Sequence, residues 1–168
     1  AGGVQLSQGS EIIGALRTRQ EILIWTDVGI VSMRFVGEPF IFSFTEVAEG
    51  QSLIAPNAAV SANNRVYFMD TGGFYVYSGS AEKLPCTVLD YVLSDLNLGQ
   101  SFKIFAAVNN IANEVMWFYP SGTNTEIDKY VLFNYLENVW SIGTTDDDFI
   151  RTAWDQASIL EYPIAASK

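Results

Sequence analysis

The sequence has no histidine, one cysteine and only 9 lysines and arginines among 168 residues. Without imidazole there is no Ser-His-Asp or Cys-His catalysis, no ordinary zinc site and no histidine acid–base chemistry. Cys86 stands alone, so no internal disulfide forms and the chain does not read as a small stapled secreted domain. As a nucleophile Cys86 is poorly equipped. It follows Leu84 and Pro85 at the entrance of an expected helix, with no imidazole to activate it, and an inert thiol is the reading adopted. The few basic residues face 19 acidic ones, for a net charge of −10. That balance argues against a nucleic-acid-binding surface, which needs clustered Lys and Arg. It leaves an acidic surface for solubility or, more pointedly, a wall along which DNA passes without sticking. No apolar run approaches the roughly 18 residues of a membrane helix, so no membrane insertion is expected.

What the sequence does have is apolar and aromatic content, 49% and 14% respectively, enough for a packed β-rich core. Residues 64–85 (NRVYFMDTGGFYVYSGSAEKLP) organise the rest. Two short runs, 66–69 and 74–77, flank Asp70, Thr71, Gly72 and Gly73, and the two glycines are expected to supply the positive φ of a tight reversal. Val66, Phe68, Phe74 and Val76 are assigned to one face. Tyr67, Met69, Tyr75 and Tyr77, assigned to the other, are equally bulky. A hairpin with one wet face would alternate; this one needs cover on both, as in the stacked blades of a β-propeller.

The same texture runs along the chain. Strands are expected at 21–26, 30–36, 40–47, 58–61, 103–108, 114–119, 129–135, 139–142, 151–154 and 158–162, with turns at Asp27 to Gly29, Asn63–Asn64 and 109–113. Residues 2–9 and 120–128 read as loops. One short helix is expected at about 88–97, with Thr87 and Asp90 capping it and Gly99 ending it. Trp25 to Phe68 spans 43 residues and Phe68 to Trp117 spans 49, close to the 40–50 of a propeller blade. The fold class predicted is therefore all-β: irregular β-propeller-like stacked antiparallel sheets. A β-sandwich fits the strand count nearly as well. Residues 1–168 form one partial propeller domain on this reading, and the opening at Ala1 suggests a piece of a longer chain.

No catalytic, metal or cofactor-binding residue is assigned, no cofactor is expected, and the binding residues are unknown. Asp27 and Asp70 occupy matching hairpin turns, which points to turn chemistry rather than a glycosidase pair. Asp146, Asp147 and Asp148 lack the spacing of a calcium loop and read as a solvated acidic turn. Ser121–Gly122–Thr123 lacks the Gly-Lys of a phosphate loop. Trp25, Trp117 and Trp140 sit mid-strand and read as core; Trp154 is left open.

Several segments together resemble the tail nozzle proteins of short-tailed bacteriophages, a group that includes the packaged-DNA stabilization tail accessory factors. They are residues 21–37 (EILIWTDVGIVSMRFVG), 56–88 (PNAAVSANNRVYFMDTGGFYVYSGSAEKLPCTV), 90–97 (DYVLSDLN), 113–143 (NEVMWFYPSGTNTEIDKYVLFNYLENVWSIG) and 151–154 (RTAW). The likeness is one of segment texture and order, not of a site motif, so no residue role transfers. It implies a non-enzymatic virion structural protein made in the host cytoplasm. Such a protein forms a homo-oligomeric ring of six copies below the portal–adaptor proteins, attaches tail fibre or tail plug proteins, and belongs to the conduit that retains and ejects DNA. DNA would pass without sequence-specific binding. An alternative is a receptor- or glycan-binding β-propeller module with Tyr75, Tyr77 and Trp154 as an exposed aromatic patch. A hydrolase using Asp or Glu is a third.

Overall fold

The computed structural model describes residues 9, 11–145, 151–155 and 162–167. The acidic triplet Asp146, Asp147 and Asp148 lies outside the described residues. So do the expected loop at 2–9 and strand at 158–162, apart from Gly9 and Tyr162.

The protein is all-β. A first sheet is made of β1 (Ile12–Arg17), β2 (Ile22–Thr26), β3 (Gly29–Phe35) and β4 (Phe42–Glu49). A second holds β5 (Ala59–Ala62), β6 (Arg65–Asp70), β7 (Gly73–Tyr77) and β8 (Ala81–Lys83). A third holds β9 (Phe105–Asn109), β10 (Glu114–Tyr119), β11 (Lys129–Asn134) and β12 (Val139–Thr144), and β13 (Arg151–Asp155) pairs with β14 (Ile164–Ser167). Each is an antiparallel meander whose strands neighbour one another in chain order. The tryptophan–phenylalanine–tryptophan repeat in the sequence marks the second strand of each four-stranded sheet.

The sheets stack in the order of the chain. Leu23, Trp25 and Ile30 of the first sheet pack against Val66, Phe68 and Tyr77 of the second. The opposite face of the second sheet, with Tyr67, Met69 and Phe74, packs against Trp117, Phe133 and Trp140 of the third. The far face of the third, with Met116 and Phe118, receives Trp154 of β13. Aromatic contacts mark each layer: Trp25 on Phe68 at 5.5 Å, Phe74 on Trp117 at 4.7 Å, and Phe118 on Trp154 at 6.0 Å between ring centroids. The second sheet is thus covered on both faces, as its two bulky faces require.

The assignment of side chains to those faces needs correction. Asp70 pairs with Gly73 across the two-residue loop Thr71–Gly72, and Val66 pairs with Tyr77. An even loop length puts even positions of one strand beside odd positions of the other, so Val66, Phe68, Tyr75 and Tyr77 share a face and Tyr67, Met69, Phe74 and Val76 share the other. Gly73 alone of the two glycines has a positive φ. In the preceding turn Asn63 and Asn64 both do, as a tight two-residue hairpin loop requires.

Between consecutive sheets the closest backbone approach is at their first strands, β1 to β5, β5 to β9 and β9 to β13. Asn57 forms a parallel bridge with Phe105, and the Ala106 amide donates to the Asn57 carbonyl at 2.8 Å. Gly14 of β1 is needed here, because a Cβ would sit 2.8 Å from the Pro56 carbonyl oxygen. Farther out, the segment between β8 and β9 helps fill the space between the second and third sheets. Its helix α1 (Leu89–Asp95) buries Val92, and Leu96 follows it into the same core.

The helix is shorter than the expected 88–97. Val88, not Thr87, occupies the cap position, and no side chain caps it. Gly99 does not terminate it either: Leu98–Lys103 forms a 3-10 helical turn opened by Asn97, whose side chain accepts from the Gly99 amide at 3.1 Å. That turn delays the next strand from 103 to Phe105. Packing of Val92 and Leu96 sets the helix phase here, overriding the weak hydroxyl cap signal.

Candidate functional site

A cleft of about 430 Å³ lies at one end of the stack, lined by Arg19, Glu21, Arg34, Asn63, Tyr77 and Asn110 among others. Its walls come from turns of three sheets. At its base the Glu21 carboxylate, 8% exposed, accepts hydrogen bonds from the Ser32 hydroxyl and from Arg34 Nε at 3.0 Å. Ser32 and Arg34 alternate on β3, so both project from the sheet face that meets the second sheet. The Tyr77 hydroxyl arrives from β7, buried and close to Glu21, but makes no hydrogen bond of standard geometry.

Burial pushes the Glu21 carboxyl up, but the hydrogen bonds from Ser32 and Arg34, the nearby Tyr77 hydroxyl and the Arg34 charge outweigh it and hold the group below its ordinary value. Burial and the neighbouring carboxylate raise the Tyr77 hydroxyl. Glu21 is therefore an anion whose lone pairs are already engaged. It is arranged to tie the β1–β2 turn to β3 within the first sheet, not to take a proton from a substrate.

A second recess, about 310 Å³, lies where the first strands converge and is lined by Leu16, Trp25, Asn57, Ala59, Phe105 and Trp154 among others. Trp25 Nε1 is buried there without a hydrogen-bond partner. Its lining sets the polar Asn57 and Thr152 among apolar side chains and includes no titratable group.

The remaining candidates disperse. Asp70 is committed to its turn: Oδ1 accepts from the Thr71 amide and hydroxyl, and Oδ2 accepts from the Ser52 amide at 3.2 Å. Ser52 also donates to the Thr26 carbonyl at 2.6 Å, tying the turns of Asp27 and Asp70 together. Cys86 packs beside the main core, and burial pushes its thiol up, partly offset by a hydrogen bond from the Val88 backbone. Trp25 and Trp117 are fully buried and Trp140 is nearly so. Among the described residues no three His, Cys, Asp or Glu side chains come together as a metal site, and no helix is long and apolar enough to cross a membrane.

Tyr75, Tyr77 and Trp154 do not form a patch. Tyr75 stacks on Phe68 at 5.3 Å and Tyr77 is buried between the first and second sheets. Trp154 lies beyond the third sheet, donating from Nε1 to the Val108 carbonyl at 2.9 Å.

Two polar clusters were not anticipated. Asp95 of α1 accepts from Lys129 Nζ at 2.8 Å and from the Tyr119 hydroxyl at 3.3 Å, and Lys129 also donates to Tyr91. These partners hold the Lys129 ammonium well above its ordinary range, and burial together with Asp95 raises the Tyr119 hydroxyl strongly. In the loop between β10 and β11, Asp128 accepts from the Ser121 amide and hydroxyl and from Asn124. The first cluster is a brace between α1 and the third sheet; the second pins its own loop. Comparison with known proteins finds no family model that matches the chain and no curated protein similar to it.

Proposed function

We propose that the chain is a structural protein of a virion, a nozzle component in the tail of a short-tailed phage. In this role it forms a ring below the portal–adaptor proteins, carries contacts to tail fibre or plug proteins, and lines part of the conduit that retains and ejects DNA. The observation that carries the reading is the stack itself. Three four-stranded meanders lie face to face in chain order, closest at their first strands, as blades of a propeller would. The polar clusters described above either brace one element against another or pin a turn. Their carboxylates accept from donors within the fold, which suits building material. The net charge of −10 suits a surface that lets DNA slide without sequence-specific binding.

The experiment is gold labelling of intact particles with an antibody raised against the chain, read by electron microscopy. A ring of label at the distal end of the portal–adaptor channel supports the proposal. Label on the capsid shell, or particles lacking the chain, overturns it.

A further inference from the structure

The cleft that holds Glu21 lies at interior joints of the stack. Residues 18–21 between β1 and β2, Asn63 and Asn64 between β5 and β6, Ser78 and Gly79 between β7 and β8, and Asn110 between β9 and β10 all line it. Two of these turns are locally fixed. The Thr18 hydroxyl accepts from the Glu21 amide at 3.1 Å and donates to the Glu21 carbonyl at 2.9 Å, and Asn63 and Asn64 both hold positive φ.

We propose that this cleft binds an acidic saccharide, a sugar ring bearing a carboxylate. Arg19 and Arg34 receive the carboxylate, and the carboxamides of Gln20, Asn63 and Asn64 receive the hydroxyls. Three observations select that ligand. The first is charge. The chain carries −10 overall, yet the charged groups lining the cleft are two guanidiniums and one carboxylate. That carboxylate, Glu21, is spent on Ser32 and on Arg34 Nε. The same bond steadies Arg34, whose two terminal nitrogens make no hydrogen bond among the described residues. Arg19 is exposed and forms no ion pair among the described residues. A guanidinium fork takes a carboxylate through two parallel bonds.

The second is the balance of donors and acceptors. The side chains of Gln20, Asn63 and Asn64 have no hydrogen-bond partner among the described residues. A carboxamide both donates and accepts, and so does a sugar hydroxyl, so each can answer one in either sense. The oxygens of a phosphate diester only accept, and would leave three carboxamide oxygens idle.

The third is a buried polar group. Tyr77 is 3% exposed and borders the cleft, and its hydroxyl lies beside Glu21 without a hydrogen-bond partner of standard geometry. A buried hydroxyl in that state calls for a partner, and a ligand hydroxyl supplies one, directly or through a water. The volume of about 430 Å³ is of the order that holds a small ligand. The site is independent of the place in the tail, and either can fail while the other stands.

The test is titration of the chain with glucuronate, glucose, inorganic phosphate and a single-stranded oligodeoxynucleotide, followed by amide NMR shifts. Glucuronate should bind saturably in the millimolar range, with shifts confined to residues 18–21, Asn63, Asn64 and Ser78, and glucose should bind about tenfold more weakly. Arg19→Gln should weaken glucuronate about tenfold while the melting temperature stays that of the parent. Asn63→Gly keeps the left-handed turn, removes the carboxamide and should weaken it about fivefold. Absence of saturable shifts up to tens of millimolar glucuronate overturns the proposal, as does glucuronate binding that Arg19→Gln leaves unchanged. Glucose binding as tightly as glucuronate overturns the role of charge and with it the proposal. Phosphate or the oligonucleotide binding as tightly as glucuronate also overturns it, and would mark a phosphate site instead.

Discussion

The indole nitrogen of Trp117 donates to the carbonyl of Ala58 at 3.1 Å, joining the third sheet to the start of the second across the buried layer between them. The same carbonyl also accepts from the Met69 amide at 3.1 Å. Trp117→Phe therefore removes one bond without orphaning the acceptor. It should cost about 1–2 kcal/mol for the lost bond and part of the ring volume. Trp117→Ala should cost about 3–5 kcal/mol, because the space beside Phe74 and Trp140 cannot refill. Urea unfolding of the two variants checks the difference.

Glu21 gives a pH dependence with a definite sign. Its folded pKa lies below the ordinary value of 4.5, so its contribution is present above that pH and is lost as pH falls through the folded value. Glu21→Gln should be less stable than the parent by about 1 kcal/mol at neutral pH. Below pH 4.5 the gap should close. Thermal melts from pH 7 down to pH 3 would reveal the convergence.

Asp95 holds the buried Tyr119 hydroxyl and the partly buried Lys129 together. Asp95→Ala leaves the tyrosine hydroxyl without its acceptor and should cost about 1–3 kcal/mol. Lys129→Met removes only a screened pair, 21% and 22% exposed at its two ends, and should cost about 0.5 kcal/mol. Both effects are read from chemical denaturation midpoints.

Asp128→Ala removes an acceptor that gathers three donors in the loop between β10 and β11. Limited proteolysis should then cut within residues 120–128 many times faster than in the parent, while the strands stay intact.

Much of the architecture was legible because the second sheet states its burial twice. Tyr67 and Phe68, on adjacent positions of one strand, must point to opposite faces, and both are bulky. Asn63–Asn64 announced its turn for an equally local reason. The β1 strand was not legible: Gly14 interrupts it, and the reason for that glycine is the distant Pro56 backbone. Three-residue β8 carries too little pattern to stand out from its turn. The face assignment of the hairpin failed on loop parity, which register alone decides. At the candidate cleft, Glu21, Ser32 and Arg34 are scattered in sequence and meet only through the pairing of β2 with β3.

Everything rests on a second sheet held between two others. Amide hydrogen exchange measures that directly. The amides of Tyr67, Phe68 and Met69 on β6, and those of Phe74, Tyr75 and Val76 on β7, should exchange only by global unfolding, more slowly than any amide of β4 or β12. Exchange of β6 and β7 as fast as that of β4 would contradict the stack.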